Sequence, residues 1–185
     1  MLYTDPDLGV GSAPDGETII DAIEPSRRAG ARHAAGDRNA ISDWARDLAT
    51  RISTEQPTQH VSVFVPEPAG DGLRLVAQVW GAGEDNGLVT AGEWVIPLDG
   101  SVCGRVYRTG LAALCADVSL DPDYRAFPGS RTRSSLTIPV GPPNGVCGVI
   151  NLEAPWTAAY SIRDYERMTE HAAAAFDTFP AGLDG

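Results

Sequence analysis

The stretch Asp99-Gly100-Ser101-Val102-Cys103-Gly104-Arg105-Val106-Tyr107-Arg108-Thr109-Gly110 decides the fold class of this chain. Its Ser101 is a favourable N-cap residue and its Thr109-Gly110 pair is a favourable helix end, so the stretch predicts one short helix. Short apolar runs flank the helix at 94–98 and at 111–118, and both predict strands. A single short helix within a series of strands is typical of an α+β domain.

Towards the N-terminus, the chain predicts a hairpin that follows a longer helix. Residues 61–65 alternate between valine and other side chains, which predicts a strand from His60 onward. A second strand at 73–80 follows a turn rich in Pro and Gly, so the two strands predict a hairpin. Before them, an apolar stripe with helical spacing predicts a helix that begins near Asp37 and ends before Pro57. The stripe consists of Ile41, Trp44, Leu48 and Ile52.

Towards the C-terminus, a long loop, a second hairpin and a last helix complete the domain. The loop spans 119–133 and is predicted to contain one helical turn at 121–126. The hairpin strands are predicted at 135–140 and 146–153, and Ser161 caps a helix with an apolar face. We therefore predict a six-stranded antiparallel sheet with the terminal helices on one face. The short helix and the long loop cover the other face and enclose a pocket.

Length and apolar content indicate one domain with a tail at each end. The chain has 185 residues, of which 43% are hydrophobic, enough for one sizeable core. The domain is predicted over 37–179, since 1–36 is rich in Gly, Pro and Asp with only a weak helix at 18–23. Residues 180–185 form the predicted C-terminal tail.

The charge excludes several function classes. The formal net charge is −11, so a phosphate backbone is repelled and nucleic acid is not an expected partner. All 14 basic residues are arginines, so no lysine is present for a Walker phosphate site or for a Schiff base. No run of 18 apolar residues and no secretory signal occurs, so we expect a cytoplasmic protein without a membrane span.

Four segments resemble the conserved motifs of GAF domains in order and spacing. They are the helical stretch 99–110, the segment 117–124, the hairpin formed by 134–140 and 145–153, and the helix start at 160–164. The resemblance implies a six-stranded antiparallel sheet, terminal helices that pair in a homodimer, and a small-molecule pocket on the opposite face. It does not imply one function or one cofactor, because members of this family bind different ligands.

One branch of the family is catalytic, namely the free methionine-(R)-sulfoxide reductases. Cys103 matches one cysteine of that branch, and the dipole of the short helix favours its thiolate. The branch carries its catalytic cysteine in the loop before the second hairpin, whereas residues 127–134 contain none. The branch also holds the ammonium group of its substrate with acidic residues. Those positions match Ser135, Asn151 and Glu153 here, so only Glu153 is acidic.

The loop predicted to cover the pocket combines aromatic and basic side chains. Tyr124, Arg125, Phe127, Arg131 and Arg133 lie within ten residues, and Arg105 and Arg108 lie on the short helix nearby. Arginines with aromatic rings suit a planar or anionic ligand. The alternative is that the arginines balance nearby aspartates in solvent. With the positions that the resemblance implies, the predicted ligand-binding residues are Trp80, Cys103, Tyr124, Phe127, Arg131, Arg133, Thr137, Asn151 and Glu153. No metal site is predicted, because His33, His60 and His171 are scattered and no zinc-type spacing occurs.

Three functions are open at this point. The first is a sensory GAF module that binds an unidentified small molecule, with an anion as one candidate, and signals through its terminal helices or a partner protein. The second is a thiol-dependent redox enzyme that uses Cys103. The third is an interaction scaffold without a ligand, whose pocket is filled by Trp80, Trp94 or Tyr124. Serine-triad hydrolysis is not predicted, since no G-x-S-x-G motif is present.

Overall fold

The computed structural model describes residues 38–55, 60–68, 70–81, 94–127 and 129–180. The predicted N-terminal tail with its weak helix lies outside these ranges, and so does all but the first residue of the predicted C-terminal tail. No helix within the ranges is long and apolar enough to cross a lipid bilayer.

Six strands and three α-helices make up the described part of the chain. In chain order they are α1 (Arg38–Glu55), β1 (His60–Pro66), β2 (Gly72–Val79), β3 (Val95–Pro97), α2 (Val102–Thr109), β4 (Ala113–Cys115), β5 (Ser134–Val140), β6 (Gly148–Ala154) and α3 (Ile162–Asp177). The strands form one sheet in the order β3-β2-β1-β6-β5-β4. Every neighbouring pair is antiparallel, so the predicted α+β class and sheet are confirmed.

The terminal helices α1 and α3 lie together on one face of the sheet. The side chains that α1 buries are Ile41, Ala45, Leu48, Ala49 and Ile52. The indole Nε1 of Trp44 donates to the carbonyl oxygen of Ala175 over 3.0 Å, and the Trp44 ring meets the Phe179 ring edge-on with centroids 5.0 Å apart. The sequence stripe therefore forms the helix-side core, as predicted.

Helix α2 lies on the opposite face and is closed at both ends by the residues that predicted it. The Ser101 hydroxyl accepts from the backbone N–H of Gly104 at 3.0 Å. Gly110 ends the helix in the left-handed region at φ +65°, where glycine is favoured. A side chain at Gly104 would overlap the backbone carbonyl of Leu98, so the close approach of α2 to that segment requires glycine. Phe64 of β1 and Val149 of β6 belong to the second core on this side.

The fourth strand is shorter than the predicted 111–118. It ends at Cys115, and a 3-10 helix follows at Val118–Leu120, before the helical turn predicted at 121–126. Asp117 causes the change, because its carboxylate accepts from both the backbone N–H and the hydroxyl of Ser119 and so caps a helical turn.

Candidate ligand-binding site

A small cavity lies between the sheet and the segment 119–133, which is called the lid below. The lid-face cavity has a volume of about 20 Å³, which is room for about one water molecule. Aromatic side chains of the lid and of the segment before β3 form its walls, and polar side chains of β5 and β6 form its floor. Residues at the wall and floor include Trp94, Cys103, Tyr124, Phe127, Ser135, Asn151 and Glu153.

Glu153 is the acidic group on the floor of this cavity. Its side chain is 3% exposed, and it is the one acidic residue among the buried positions of the described ranges. The Tyr124 hydroxyl donates to Oε1 over 3.1 Å, and the Thr132 hydroxyl donates to Oε2 over 3.2 Å. His60 Nδ1 lies 3.3 Å from Oε2. One buried carboxylate therefore joins the sheet to the lid.

His60 extends this network behind Glu153. Its Nε2 lies 3.1 Å from the hydroxyl of Ser62, which is also buried. The imidazole stacks on the Trp80 ring with centroids 3.9 Å apart and planes 6° from parallel. The edge of Phe127 covers its other side at 5.6 Å. The sequence interpretation treated His60 as a scattered histidine, and the position of His60 on β1 opposite Glu153 on β6 appears only in the strand register.

Two buried polar atoms at the cavity have no hydrogen-bond partner within the described residues. They are the hydroxyl oxygen of Ser135 and the indole Nε1 of Trp94. By contrast, Asn151 is fixed, since its Oδ1 accepts from the Thr137 hydroxyl over 2.8 Å. A buried polar group without a partner typically costs about 1–3 kcal/mol. These two polar groups in the cavity lining therefore lower the stability of the fold.

Cys103 lines the cavity, and its thiol is buried there. Its side chain is buried, and burial raises the pKa of the thiol far above its ordinary value, with the charge of Glu153 acting in the same direction. The helix N-terminus was expected to favour the thiolate, and burial outweighs that effect. Within the described ranges Cys103, Cys115 and Cys147 are all free thiols.

Of the three lid arginines, Arg125 lies at the rim of the cavity, whereas Arg131 and Arg133 lie outside its lining. Arg131 and Arg133 are exposed, and Arg133 lies 3.7 Å from Asp117. Outside the lid, Arg105 of α2 binds the carboxylates of Asp121 and Asp123, each at 2.6 Å. The predicted alternative, in which arginines balance nearby aspartates, therefore describes Arg105.

Several contacts hold the lid closed over the cavity. Arg105 binds the start of the lid, and the Arg125 side chain donates to the carbonyl oxygen of Gly100 over 2.7 Å. Tyr124 and Thr132 bind Glu153 from above. Phe127 is buried against Trp94, with ring centroids 5.4 Å apart. Of the predicted ligand-binding residues, Trp80 and Thr137 stand behind the cavity and support His60 and Asn151.

A second and larger space lies on the other face of the sheet. This helix-face cleft, between α3 and the β4–β5 edge, has a volume of about 370 Å³. Its lining is mainly apolar, with Asp177 as the charged residue. The principal lining residues are Leu111, Ala112, Ile138, Pro139, Tyr165, Ala172, Ala173 and Phe176. Among the described residues, no three His, Cys, Asp or Glu side chains come close enough together to hold a metal ion.

The six-stranded antiparallel sheet and its helices form a GAF-like fold. No protein-family model matches the chain, and no curated protein matches it. The solved structures that it resembles include free methionine-R-sulfoxide reductase from Neisseria meningitidis in complex with its substrate, with a TM-score of 0.64, 20% identity and coverage of 92% of this chain and 93% of that one.

Two further structures support the same class. The type II free methionine-R-sulfoxide reductase from Thermoplasma acidophilum matches with a TM-score of 0.62 and 20% identity, over 77% of this chain and 93% of that one. The GAF domain of a phosphoenolpyruvate-protein phosphotransferase from Coxiella burnetii matches with a TM-score of 0.64 and 14% identity, over 86% and 92%. These similarities establish the GAF-like fold that the sequence motifs predicted.

Proposed function

We propose that this protein is a small-molecule-binding GAF module whose lid-face cavity accepts a ligand with a cationic amine. The observation that carries the proposal is the buried Glu153 carboxylate, which is held by the neutral donors Tyr124 and Thr132 and faces His60. A buried carboxylate is costly unless a cation or several donors compensate it. An amine would add a charged donor at this place.

The atoms without partners support a ligand rather than a filled core. Ser135 and Trp94, whose side chains carry these atoms, line the same small space as Glu153. A domain that only served as a scaffold would gain stability by replacing these groups with apolar side chains of similar volume. Convergent polar groups within an aromatic wall are typical of small-molecule sites.

Ligand entry requires the lid to move, because about 20 Å³ does not hold a molecule larger than water. Two of the contacts that close the lid are partly exposed, namely those of Arg105 and Arg125. Exposed ion pairs and hydrogen bonds contribute only about 0–1 kcal/mol each. The main cost of opening is therefore the loss of the buried contacts of Tyr124, Thr132 and Phe127, and a ligand that binds the open state shifts the population towards it.

The charge of the cavity favours a cation over the anion that the arginine content of the lid predicted. Arg131 and Arg133 are exposed and outside the lining, so they give an anion inside the cavity no direct partner. Arg125 stands at the rim and can bind a second, anionic group of the same ligand. Ligand binding would then change the position of the lid. This change would be transmitted through α1 and α3 in a homodimer or through a partner protein.

The test compares two probes that differ in one charge. L-methionine sulfoxide carries a free ammonium group, and N-acetyl-L-methionine sulfoxide does not. Isothermal titration calorimetry on the full chain should show binding of the first probe only. Glu153→Gln should weaken that binding at least tenfold, because the amide carries no charge, whereas Glu170→Gln on the exposed surface of α3 should not change it.

Native mass spectrometry of freshly purified protein complements the titration by reporting the subunit count and any retained molecule. Failure of L-methionine sulfoxide, methylammonium and tetramethylammonium to bind would contradict the cationic-ligand proposal. If none of these probes binds and the mass spectrum shows only the bare polypeptide, the scaffold function is favoured. The cavity volume, which has room for one water molecule, supports that alternative.

A thiol-dependent redox enzyme is the second candidate, because Cys103 faces the cavity and reductase structures are among those that the chain resembles. The reaction would convert methionine sulfoxide and dithiothreitol into methionine, oxidised dithiothreitol and water. Turnover that disappears in Cys103→Ser would establish this function. Equal background rates in the wild type and the variant would exclude it, and the raised pKa of the Cys103 thiol leads us to expect that result.

A further inference from the structure

We infer that His60 is a positioning residue that decides, through its charge, whether Glu153 is available to a cationic ligand. In the neutral state the imidazole donates one hydrogen bond to the carboxylate and leaves its charge uncompensated. In the protonated state the imidazolium is itself the cation paired with Glu153. The ligand-binding consequence rests on the proposed function, whereas the coupling between His60 and Glu153 does not.

The hydrogen-bond geometry assigns the proton in the neutral state. A hydroxyl both donates and accepts, whereas a carboxylate only accepts. Glu153 Oε2 therefore needs a hydrogen on Nδ1 of His60, 3.3 Å away. The Nε2 atom is then the acceptor, and the Ser62 hydroxyl, 3.1 Å away, donates to it. This Ser62–His60–Glu153 chain holds the ring in one tautomer and one orientation.

Protonation of His60 reverses one hydrogen bond, the one between His60 and Ser62, and requires no atom of this hydrogen-bonded network to move. Nε2 gains a hydrogen and donates to the Ser62 oxygen, which becomes the acceptor at the same distance. Nδ1 continues to donate to Glu153, but the contact becomes an ion pair between groups that are 4% and 3% exposed. At such burial the attraction is much less screened than at the surface, so a second cation at Glu153 is disfavoured.

The groups around the pair do not titrate in the range where histidine does. From the described elements packed against His60, Glu153 of β6 is the ionisable group, while Trp80 and Phe127 cover the two sides of the ring. Around Glu153 stand Tyr124 of the lid, Cys103 of α2 and Tyr160 before α3. Burial raises the pKa of all three, so they stay neutral. Histidine is the side chain that ordinarily changes charge between pH 5 and 8.

The first experiment uses ligand-free full chain and the tryptophan that stacks on His60. An imidazolium quenches indole emission more strongly than a neutral imidazole does. The Trp80 contribution to the fluorescence should therefore fall as pH decreases in the wild type. His60→Gln should abolish this titration. His171→Gln is the matched control, because His171 pairs with Glu55 between α1 and α3, and it should preserve the titration.

A second variant keeps the test decisive if His60→Gln does not fold. Glu153→Gln removes the counter-ion and retains the side-chain shape, so the fluorescence midpoint should move to lower pH because the imidazolium loses its partner. A titration that persists in His60→Gln, that is absent from the wild type, or whose midpoint is unchanged in Glu153→Gln would overturn the inference.

The ligand arm measures the affinity of L-methionine sulfoxide against pH. Binding to the wild type should weaken by up to tenfold per pH unit once His60 is protonated, because binding then requires release of that proton. In His60→Gln the affinity should be nearly independent of pH. Absence of binding with an intact fluorescence titration would refute the proposed function alone, whereas binding with the same pH profile in wild type and variant would refute the role of His60.

Discussion

The two faces of the sheet enclose two very different spaces. The helix-face cleft is the larger at about 370 Å³, yet its lining is apolar apart from Asp177 and a few hydroxyl groups. The lid-face cavity is about 20 Å³, yet its lining includes Glu153, Cys103 and two residues, Ser135 and Trp94, whose buried polar atoms have no hydrogen-bond partner among the described residues. The larger space and the space lined by functional groups therefore lie on opposite faces of the sheet.

The difference follows from what packs against each face. Helix α3 presents Ala172 and Ala173 to the edge of the sheet, and small side chains leave open space there at little energetic cost. On the lid face, close packing around Glu153 keeps charged and polar groups out of water, and burial of such groups is costly wherever their hydrogen bonds are incomplete. A costly polar interior is a stronger indication of function than an open apolar surface.

The largest expected effect on the unfolding free energy comes from disturbing the packing of α2 on the lid face. Gly104→Ala places a methyl group against the backbone carbonyl of Leu98, so α2 must move away from that segment. We expect a loss of at least about 3 kcal/mol in urea unfolding, since overlap with backbone outweighs the better helix propensity of alanine. Gly145→Ala is the control, as its nearest neighbour is Pro142 at 3.5 Å, an ordinary contact. Similar losses in both variants would contradict the close fit of α2.

Gly104 also shows how much of the fold the sequence could predict. The cap at Ser101, the glycine at 110 and the strand alternation act through neighbours in the chain, so sequence alone predicted α2 and the sheet. The shortened β4 was missed because its end depends on the side chain of Asp117 rather than on an apolar period.

The candidate site was less predictable than the fold. Glu153, Tyr124 and Phe127 were predicted as site residues and lie at the cavity. His60 and Ser62 were missed, because their partner is 93 residues from His60 in the chain and only the β1–β6 register brings them together. The direction of an exposed arginine such as Arg131 depends on lid geometry, which leaves no periodic pattern in sequence.

The next prediction compares filling the two spaces. Ser135→Leu adds a large side chain to a cavity with room for one water, so the lid must lift or the floor must distort. Overpacking of this kind typically costs about 1–3 kcal/mol. Ala173→Leu extends into the open helix-face cleft and should change the unfolding free energy by less than about 0.5 kcal/mol. Thermal and urea unfolding check both, and equal costs would mean that the two spaces do not differ in packing.

Unfolding measured at alkaline pH tests the burial of Cys147 in the helix-side core. Burial raises the pKa of Cys147 from 9.0 to about 12, so the folded protein keeps a proton that the unfolded chain releases. Its contribution to stability is therefore complete below about pH 9 and is lost as pH rises towards 12. Cys147→Ala should reduce the loss of stability by about 1.4 kcal/mol per pH unit in this range. Cys115→Ala, at a half-buried position, should reduce it less, and the reverse order would refute the burial of Cys147.

The smallest energetic effect is expected for the ion pairs that hold the lid. Arg105 is 36% exposed, so Arg105→Ala should lower the unfolding free energy by less than about 1 kcal/mol. Its local effect is larger, because the backbone N–H groups of Asp123 and Tyr124 bond to Asp121, which Arg105 holds in place. Hydrogen exchange at these two amides should accelerate severalfold while exchange in β1 and β6 stays unchanged. Arg46→Ala breaks a comparable exposed pair with Asp43 on α1 and should leave the lid unaffected. Unchanged exchange in Arg105→Ala would show that the other lid contacts, those of Arg125, Phe127 and Glu153, keep the lid closed without the ion pair.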